Sequence, residues 1–303
     1  MRLNSFRYRI HGISIKSEIE LPDLLLDSAD KFDVVIQYGN VPQHLPDIQS
    51  QGVLYEAAEN DFLFKFESVA KYRVQNGNLI IVDPNKDSSN EDISLFLMGS
   101  VMGALLHQRG LLVLHGSSVI IKNRAVIITG HSTAGKSTLA AGLNEAGFPI
   151  LTDDLSTISF NNSNNIYVHS GFPYIRLWRD VIEKLQIKGE LQKVRTEIEK
   201  YKKSISYDNI MDKYEVGLIL NLSKRNTTGF SFDEIKGMDK FDILKTNTYR
   251  TRFIEGLNMA QSHFNNVTKL IEKIPLYKIE RPSEPLLIYE LTDYVKSVIN
   301  PLL

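Results

Sequence analysis

Apolar and polar residues alternate along much of the first 85 positions, as they do in half-buried β-strands. The stretch 62–66, Phe-Leu-Phe-Lys-Phe, shows this pattern, and Asn76-Gly77 between two such stretches is a strong signal for a β-hairpin. This part of the chain is therefore predicted to be rich in β-structure. The predicted strands are 6–15, 33–37, 53–57, 62–66, 71–75 and 78–82.

From about residue 90 the apolar spacing lengthens to three and four residues, which is typical of amphipathic helices. This spacing predicts a helix over 93–107, a long helix over 252–274 and a final helix over 287–299. Core packing best explains the apolar stripe of the long helix. The stripe residues are Phe253, Leu257, Ala260, Phe264, Val267, Ile271 and Ile274. Short apolar runs predict further strands at 111–114, 119–121, 125–129, 149–152 and 216–222.

A polar, turn-rich segment at 83–90 separates these two patterns and predicts a domain boundary. We assign 1–88 to a small N-terminal β-rich domain and 89–303 to a second domain in which strands and helices alternate. Such alternation predicts the α/β (α+β) class. With 303 residues, 43% of them hydrophobic, the chain is long enough for two domains and can fill a substantial core.

The charge balance and the missing residue types exclude several classes of protein. The 35 Lys and Arg residues nearly cancel the 36 Asp and Glu residues, whereas a dedicated nucleic-acid binder usually has a basic excess. The chain has no cysteine, so disulfides, Cys-ligated zinc and thiol catalysis are excluded. No segment has the pattern of a signal peptide or a membrane span. We therefore expect a soluble cytoplasmic protein without nucleic-acid or membrane partners.

One motif points to specific chemistry, because residues 130–137 match the phosphate-binding pattern G-x-x-x-x-G-K-[S/T]. A predicted strand precedes the motif and a predicted helix follows it, so main-chain N–H groups and the helix N-terminus would converge on an anion. Lys136 would reach the outer phosphates, and the Ser137 hydroxyl would bind Mg²⁺. The motif therefore predicts a site for ATP and Mg²⁺. The predicted nucleotide-binding residues here are Gly130, His131, Ser132, Thr133, Ala134, Gly135, Lys136, Ser137 and Thr138.

Asp153-Asp154 follows the next predicted strand, where phosphoryl transfer would need a metal ligand and a base for an acceptor hydroxyl. Adjacent carboxylates on an extended chain point in different directions, so one can face the metal while the other faces the acceptor. A helix cap or an exposed turn is the alternative interpretation of the pair. His115, one predicted hairpin before the loop, could reach an acid of the pair and tune its basicity.

The order of these motifs resembles the catalytic core of the HPr kinase/phosphorylase family: a His-Gly pair, a phosphate loop, then an Asp-Asp pair. The resemblance implies a P-loop core related to phosphoenolpyruvate carboxykinase. It also implies that Asp153 is the acid/base catalyst, that Asp154 and Ser137 bind Mg²⁺, and that His115 contacts the acid. Lys136 would act with them as a catalytic residue on the phosphates.

Other short sequence segments resemble those of a shorter, divergent branch of this family, which is found beside genes for ribosomal peptide biosynthesis. They are Tyr8-Arg9-Ile10-His11-Gly12, Glu18-Ile19-Glu20-Leu21-Pro22, Arg176-Leu177-Trp178 and Tyr249-Arg250. Members of that branch phosphorylate the C-terminal residue of lasso peptide precursors. The resemblance thus implies transfer of phosphate to a Ser hydroxyl of a peptide or small protein, and it favours a homo-oligomer.

Four basic residues are further candidates for the site. Arg176, Lys202 and Lys203 could clamp a carboxylate of the substrate, and Arg250 could hold a phosphate of the nucleotide. Surface salt bridges are the alternative interpretation of the two arginines. The two lysines belong to a charged stretch, 183–203, which is predicted to be a solvated helix and loop or else a mobile flap near the active site that handles phosphate or an acidic substrate.

Other functions stay open beside the peptide kinase. A small-molecule kinase or an HPr-type protein serine kinase would share the core and differ in the acceptor pocket, which the sequence does not expose. A nucleotide-dependent switch would need no base for an acceptor hydroxyl, so Asp153 argues against it. Trp178 is predicted to lie in the core.

Overall fold

A computed structural model describes residues 5–163, 165–194, 198–207, 210–285 and 287–303. The chain divides into two compact units. They are Met1–Val113 with Thr248–Val267, and Leu114–Asn247 with Thr268–Leu303. The first unit thus continues past residue 88, where the sequence predicted a domain boundary, and includes a segment from the C-terminal part of the chain.

The described strands are distributed over several sheets. In chain order they are β1 Phe6–Ile10, β2 Ile13–Ser17, β3 Leu25–Leu26, β4 Val34–Tyr38, β5 Ser50–Gln51, β6 Tyr55–Ala58, β7 Asp61–Phe66, β8 Ala70–Gln75, β9 Leu79–Pro84, β10 Leu112–His115, β11 Ser117–Ile121, β12 Arg124–Thr129, β13 Ile150–Thr152, β14 Leu155–Phe160, β15 Ile166–His169, β16 Tyr174–Trp178, β17 Leu191–Lys193, β18 Lys200–Ser204, β19 Lys213–Arg225, β20 Ser231–Ile235 and β21 Leu276–Pro282.

The described helices are short to medium in length. They are α1 Asn90–Phe96, α2 Met102–Gln108, α3 Lys136–Glu145, α4 Arg179–Lys184, α5 Met238–Thr246, α6 Arg252–Gly256, α7 Ala260–Lys273 and α8 Ile288–Ile299. None of these, within the described ranges, has the length and apolar character that a membrane-crossing helix needs. Sheets and helices occur together, so the predicted mixed α/β class is confirmed.

One large sheet forms the framework of the first unit, with its described strands in the order β3-β1-β2-β4-β9-β8-β7-β6-β5. The sequence predicted a single strand over 6–15, and this is wrong. His11 and Gly12 have positive φ, 53° and 73°, so the chain turns and β1 pairs antiparallel with β2. The predicted turn at Asn76-Gly77 is confirmed, since both residues have positive φ, 53° and 64°, between the antiparallel strands β8 and β9.

Two predicted helices are each interrupted. The segment 93–107 contains parts of α1 and α2 with a five-residue π-helical turn between them, in which Gly99 leaves the helical region (φ −104°, ψ −106°). The segment 252–274 contains α6 and α7, which are separated where Asn258 adopts a φ of 58°. Because of this break, α6 and α7 do not present one continuous apolar face, and Phe264 of the predicted core stripe is 51% exposed. The apolar spacing predicted helix correctly but did not show the breaks.

His107 on α2 is a buried histidine whose neutral form is favoured. Its Nε2 donates to the carbonyl oxygen of Tyr249 at 2.8 Å, and burial lowers the pKa of its ring from 6.5 to about 4. Between these two values the unfolded chain binds a proton that the folded chain does not. We therefore expect the free energy of unfolding to fall by up to about 3 kcal/mol as the pH drops through this interval. Above it, His107 should contribute no pH dependence.

Chemical denaturation of wild type and His107→Gln across that pH interval checks this expectation. A Gln amide can still donate to Tyr249 but cannot be protonated, so the variant should lose this part of the pH dependence. His131→Gln is the control, because His131 is exposed and its replacement should leave the dependence in place. The same dependence in wild type and His107→Gln would contradict the assignment.

The second unit contains three parallel neighbours, with β12 and β21 on either side of β19. The described strand order of its larger sheet runs β14-β15-β19-β12-β11-β13, with β20 paired to β21. Parallel strands end at the same edge of a sheet, so the segment 130–135 that follows β12 lies beside the end of β19. The helix α3 begins directly afterwards, and its Leu139 and Leu143 share a hydrophobic core with Ile128 and Leu220. A packed core thus fixes both ends of the phosphate-loop motif.

A small third sheet, in the order β16-β18-β17, accounts for much of the charged stretch 183–203. The sequence predicted a helix and loop there, but α4 ends at Lys184 and the chain forms strands from Leu191. Residues 195–197 of the stretch lie outside the described residues. Opposite residues of antiparallel strands share a face of the sheet, and this register decides which basic side chains can act together.

Candidate functional site

The loop 130–135 has a backbone that only particular residues can adopt. Gly130 has a φ of 138°, and a Cβ added to it would collide with the main-chain oxygen of Leu222 on β19. Gly135 has a φ of 105°, also in the left-handed region that favours glycine. Thr133 is left-handed too, with a φ of 69°. The two fixed glycines of the sequence pattern therefore stand where this turn requires them.

Lys136, the first residue of α3, is enclosed by the loop that precedes it. The residue is 8% exposed, and its Nζ donates to the carbonyl oxygens of Gly130 at 2.9 Å and His131 at 3.2 Å. Burial lowers the pKa of the ammonium group, while Asp154 and Asp153 oppose that shift. The site thus contains a partly desolvated cation, which attracts a phosphate more strongly than a fully solvated one would.

Asp153, directly after β13, is a buried carboxylate that is 3% exposed. Its Oδ1 accepts from the hydroxyls of Ser117 at 2.6 Å and Ser137 at 2.9 Å. Its Oδ2 accepts from the main-chain N–H of Arg176 at 3.2 Å. Burial raises the pKa of this carboxyl and Asp154 raises it further, while the three hydrogen bonds lower it. Asp153 therefore joins the first turn of α3 to β11 and β16.

Asp154 has different partners, as expected for adjacent carboxylates. It adopts a φ of 66°, and its Oδ2 accepts from Arg176 Nη1 at 3.0 Å. Arg176 also donates from Nη2 to the Tyr174 hydroxyl at 3.1 Å, which holds the guanidinium in place. The sequence grouped Ser137 with Asp154 as metal ligands, whereas the structure brings Ser137 into contact with Asp153.

His115, at the end of β10, reaches the Asp pair through the main chain. Its Nδ1 lies 3.2 Å from the carbonyl oxygen of Asp154. Burial lowers the pKa of the ring and Lys136 lowers it further, so the neutral form is favoured. Gly116 follows because a Cβ at this position would stand 2.5 Å from the carbonyl oxygen of Ile128. The His-Gly pair thus reflects a close approach of two strands beside the carboxylates.

His115, Lys136, Ser137, Asp154 and Arg176 line one cavity of about 580 Å³ within the second unit. Its described lining includes six cationic and three carboxylate side chains, so it carries an excess of positive charge. A cavity of this kind attracts a polyanion. The lining residues are His115, Ser132, Thr133, Gly135, Lys136, Ser137, Thr138, Asp154, Arg176, Leu177, Trp178, Asp180, Val181, Lys184, Lys200, Lys224, Arg281 and Glu284.

The register of β16 and β18 separates the predicted substrate-binding lysines. Arg176 lies opposite Lys202, so their side chains share a face of the sheet, while Lys203 lies opposite Ile175 on the other face. Lys203 donates there to the carbonyl oxygen of Lys188 at 2.6 Å. The structure therefore brings Lys202, but not Lys203, onto the face that carries Arg176.

Trp178 and Lys200 form a second opposite pair on the Arg176 face. The Lys200 ammonium lies 5.9 Å from the centre of the Trp178 ring. The sequence predicted that Trp178 is buried in the core, and this is wrong, because the residue is 52% exposed and lines the cavity. Strand alternation decides this: Leu177 points into the core and its neighbours point away from it.

Arg250, predicted to bind the nucleotide, belongs to the first unit, whereas the residues that line the cavity belong to the second. Arg250 is exposed and has a φ of 49°, and its guanidinium lies 5.7 Å from the centre of the Tyr249 ring. The role of Arg250 stays a prediction. Of the loop residues, Gly130, His131 and Ala134 are not among the described lining residues, and they shape the loop through their main chain.

Several residues of the site carry no sequence motif. Asn247 accepts at Oδ1 from the Gly130 N–H at 3.0 Å, and its carbonyl oxygen accepts from the His115 N–H at 2.7 Å. Ser117 follows the His-Gly pair but was not singled out, and Arg281 lies far along the chain from the loop that it contacts. Only the position of Ser117, one residue after a motif, could have drawn attention to it.

The donor set fits Mg²⁺ bound together with a nucleotide. Mg²⁺ takes oxygen ligands and is commonly held by one or two carboxylates with substrate phosphates. Ser137 and Asp153 present a hydroxyl and a carboxylate in contact, and Ser137 lines the cavity beside Lys136. The described residues contain no group of three or more His, Asp or Glu side chains that could hold a metal ion by themselves.

Comparison with known proteins gives little beyond this geometry. No protein-family model matches the chain, and no curated protein matches it. Among solved structures, the chain is similar to the Hpr(Ser) kinase/phosphatase from Coxiella burnetii, with 16% sequence identity and a TM-score of 0.34. The match covers 62% of this chain and 94% of that chain. At such a low TM-score the likeness supports no argument about function, and the residues themselves must support one.

Proposed function

We propose that this chain is an ATP- and Mg²⁺-dependent kinase that phosphorylates a Ser hydroxyl of a peptide, in particular at the C-terminal residue of a lasso peptide precursor. One observation carries the proposal: Ser137 of the phosphate-loop motif contacts Asp153 of the Asp-Asp pair, and Lys136, Ser137 and Asp154 line one cation-rich cavity. The loop alone would suit any nucleotide-binding protein. A neighbouring carboxylate that lines the cavity is the additional group that a kinase needs.

In this proposal the loop and Lys136 hold the phosphates of ATP. Ser137 and Asp153 hold Mg²⁺, because their oxygens already lie 2.9 Å apart beside the loop. Bound Mg²⁺ would neutralise negative charge on the phosphates. Asp153 has little exposure and accepts hydrogen bonds at both oxygens, so it is poorly placed to receive a proton from a substrate.

Asp154 is the better candidate for the base, because it lines the cavity and its Oδ2 is held by Arg176. The acceptor oxygen would bond to the γ-phosphorus while the bond from that phosphorus to ADP breaks. The proton of the acceptor hydroxyl would pass to the Asp154 carboxylate. This division of roles is the reverse of the one that the family resemblance implies.

The basic face of the small sheet supports a C-terminal acceptor. Arg176, Lys200 and Lys202 lie on one face of β16 and β18, and the first two line the cavity. A C-terminal Ser presents its carboxylate close to its hydroxyl. Cations that hold this carboxylate would orient the hydroxyl for attack, and such orientation lowers a barrier by several kcal/mol when the reacting atoms are near contact.

The acceptor is tested by incubating the enzyme and Mg·ATP with four substrates: a peptide ending in Ser, the same peptide amidated at its C-terminus, free serine, and intact HPr. We expect mass spectrometry to detect phosphate on the free-acid peptide and much less on the amidated one. Lys202→Gln should reduce this discrimination. Lys203→Gln is the matched control, since the neighbouring lysine lies on the opposite face of the same strand.

Phosphate on free serine or HPr, but on no peptide, would reject the C-terminal acceptor and favour a small-molecule or HPr-type kinase. Hydrolysis of ATP without transfer to any of the four substrates would favour a nucleotide-dependent switch. Equal effects of the two lysine variants would show that the face containing Lys202 does not recognise the carboxylate.

A further inference from the structure

Arg281, near the end of β21, is a buried arginine in contact with the phosphate loop. It is 5% exposed. Its Nε donates to the carbonyl oxygen of Ala134 at 2.9 Å, and its Nη1 donates to the carbonyl oxygen of Pro282 at 2.7 Å. The strand β21 thus delivers a guanidinium to the loop from a position 147 residues away in the sequence.

This cation has no ion-pair partner within hydrogen-bonding range among the described residues. None of their carboxylates forms an ion pair with it within 4.0 Å, although Glu284 is near enough to oppose the effect of burial. Burial lowers the pKa of the Arg281 guanidinium. Placing a charge out of water is costly unless an opposite charge compensates it. An anion would therefore stabilise this buried arginine, whose described hydrogen-bond partners are two neutral carbonyl oxygens.

The unused donors of Arg281 lie beside the part of the loop that would receive the phosphates. A guanidinium has five N–H donors, and the described contacts use two of them. Its Nη2 is 3.5 Å from the point where a Cβ of Gly135 would stand, and Arg281 lines the same cavity as Lys136 and Ser137. The free donors are thus within reach of an anion held by the start of α3.

We propose that Arg281 contacts the phosphate chain of the bound nucleotide and supplies, from the same chain, a second fixed cation beside Lys136. The proposal rests on the proposed function only in that the loop must bind a polyphosphate. It does not depend on the acceptor or on the division of roles between the two aspartates. The hydrogen bond to Ala134 places the guanidinium before the ligand arrives, so little ordering is required on binding.

Calorimetric titration of the full-length chain with inorganic pyrophosphate, and separately with Mg·ADP, tests the proposal. Hydrogen bonds to charged groups are strong, so we expect Arg281→Met to weaken binding of both ligands roughly 10- to 100-fold. Arg281→Lys should keep a larger part of the affinity, because it retains the charge. Arg225→Gln is the matched control: it removes an exposed arginine that pairs with Glu280 on the same strand pair and does not line the cavity.

Circular dichroism and thermal unfolding of each variant separate binding from folding. Wild-type affinity in folded Arg281→Met would overturn the proposal. Equal losses in Arg281→Lys and Arg281→Met would also overturn it, because they would show that only the hydrogen bond to Ala134 matters. If wild type itself bound neither pyrophosphate nor Mg·ADP, the proposed function would fail. Binding by wild type that Arg281→Met does not weaken would reject the role of Arg281 alone.

Discussion

Replacing Lys136 by Ala is expected to abolish detectable phosphotransfer, with a loss of about 10²- to 10³-fold in rate. The physical reason is the position of the ammonium group, which is fixed by the carbonyl oxygens of Gly130 and His131 at the mouth of the loop. A charge that is fixed before the substrate binds stabilises developing charge at no further cost of reorganisation. Transfer of phosphate from labelled ATP, together with ATP turnover, measures the effect.

The fold should survive this substitution. Lys136 is 8% exposed and burial lowers its pKa, so removal of the ammonium group relieves a desolvation cost while two carbonyl oxygens lose a donor. Thermal unfolding of the variant should therefore remain cooperative. Lys122→Ala is the matched control, since Lys122 also donates to a main-chain carbonyl, that of Asn300, and does not line the cavity. Near-normal phosphotransfer by folded Lys136→Ala would reject the nucleotide site.

Replacing each of the two aspartates by Asn should impair a different property of the enzyme, either nucleotide binding or phosphate transfer. Asp153→Asn is expected to weaken Mg²⁺-dependent binding of nucleotide by roughly 10- to 100-fold, because Ser137 keeps a hydrogen-bond acceptor but the carboxylate charge is lost. Asp154→Asn should leave that binding nearly intact and reduce the transfer rate by about 10²- to 10⁴-fold, because an amide cannot accept the proton. Titration of ADP with and without Mg²⁺, beside single-turnover kinetics, distinguishes the two effects.

Asp180→Asn is the control for both substitutions, because Asp180 lines the same cavity but lies on α4, away from the loop hydroxyls. It should change binding and transfer little. The opposite pattern, with Mg²⁺ dependence lost in Asp154→Asn and transfer alone lost in Asp153→Asn, would restore the assignment that the family resemblance implies. Loss of both properties in both variants would show that the two carboxylates act as one unit.

The local features of the chain could be predicted because their causes are local. The Asn76-Gly77 turn follows from two residues that tolerate positive φ, and the alternating strands around it follow from a period of two. The phosphate-loop motif could be recognised because glycine is needed where φ is 138° at Gly130 and 105° at Gly135. The Asp-Asp pair stood out from its place after a short strand.

Two predicted elements, one helix and one strand, were too long because a turn interrupts each of them although the apolar spacing continues along the sequence. Asn258 divides the predicted helix 252–274, and Gly12 divides the predicted strand 6–15. Apolar spacing can continue across such breaks, so the period alone does not show where a helix or strand is interrupted. Trp178 was misplaced for a related reason, since a large aromatic residue can serve either a core or the wall of a cavity.

By itself the sequence determined the chemical groups: a loop for phosphates, a pair of carboxylates and a surplus of lysines nearby. Only the tertiary structure decided which of these groups contact one another. It brought Ser137 to Asp153 rather than to Asp154, put Lys202 and Lys203 on opposite faces, and brought Arg281 to the loop. Such partnerships depend on strand register and on contacts between residues far apart in the chain, and neither leaves a periodic signal in the residues concerned.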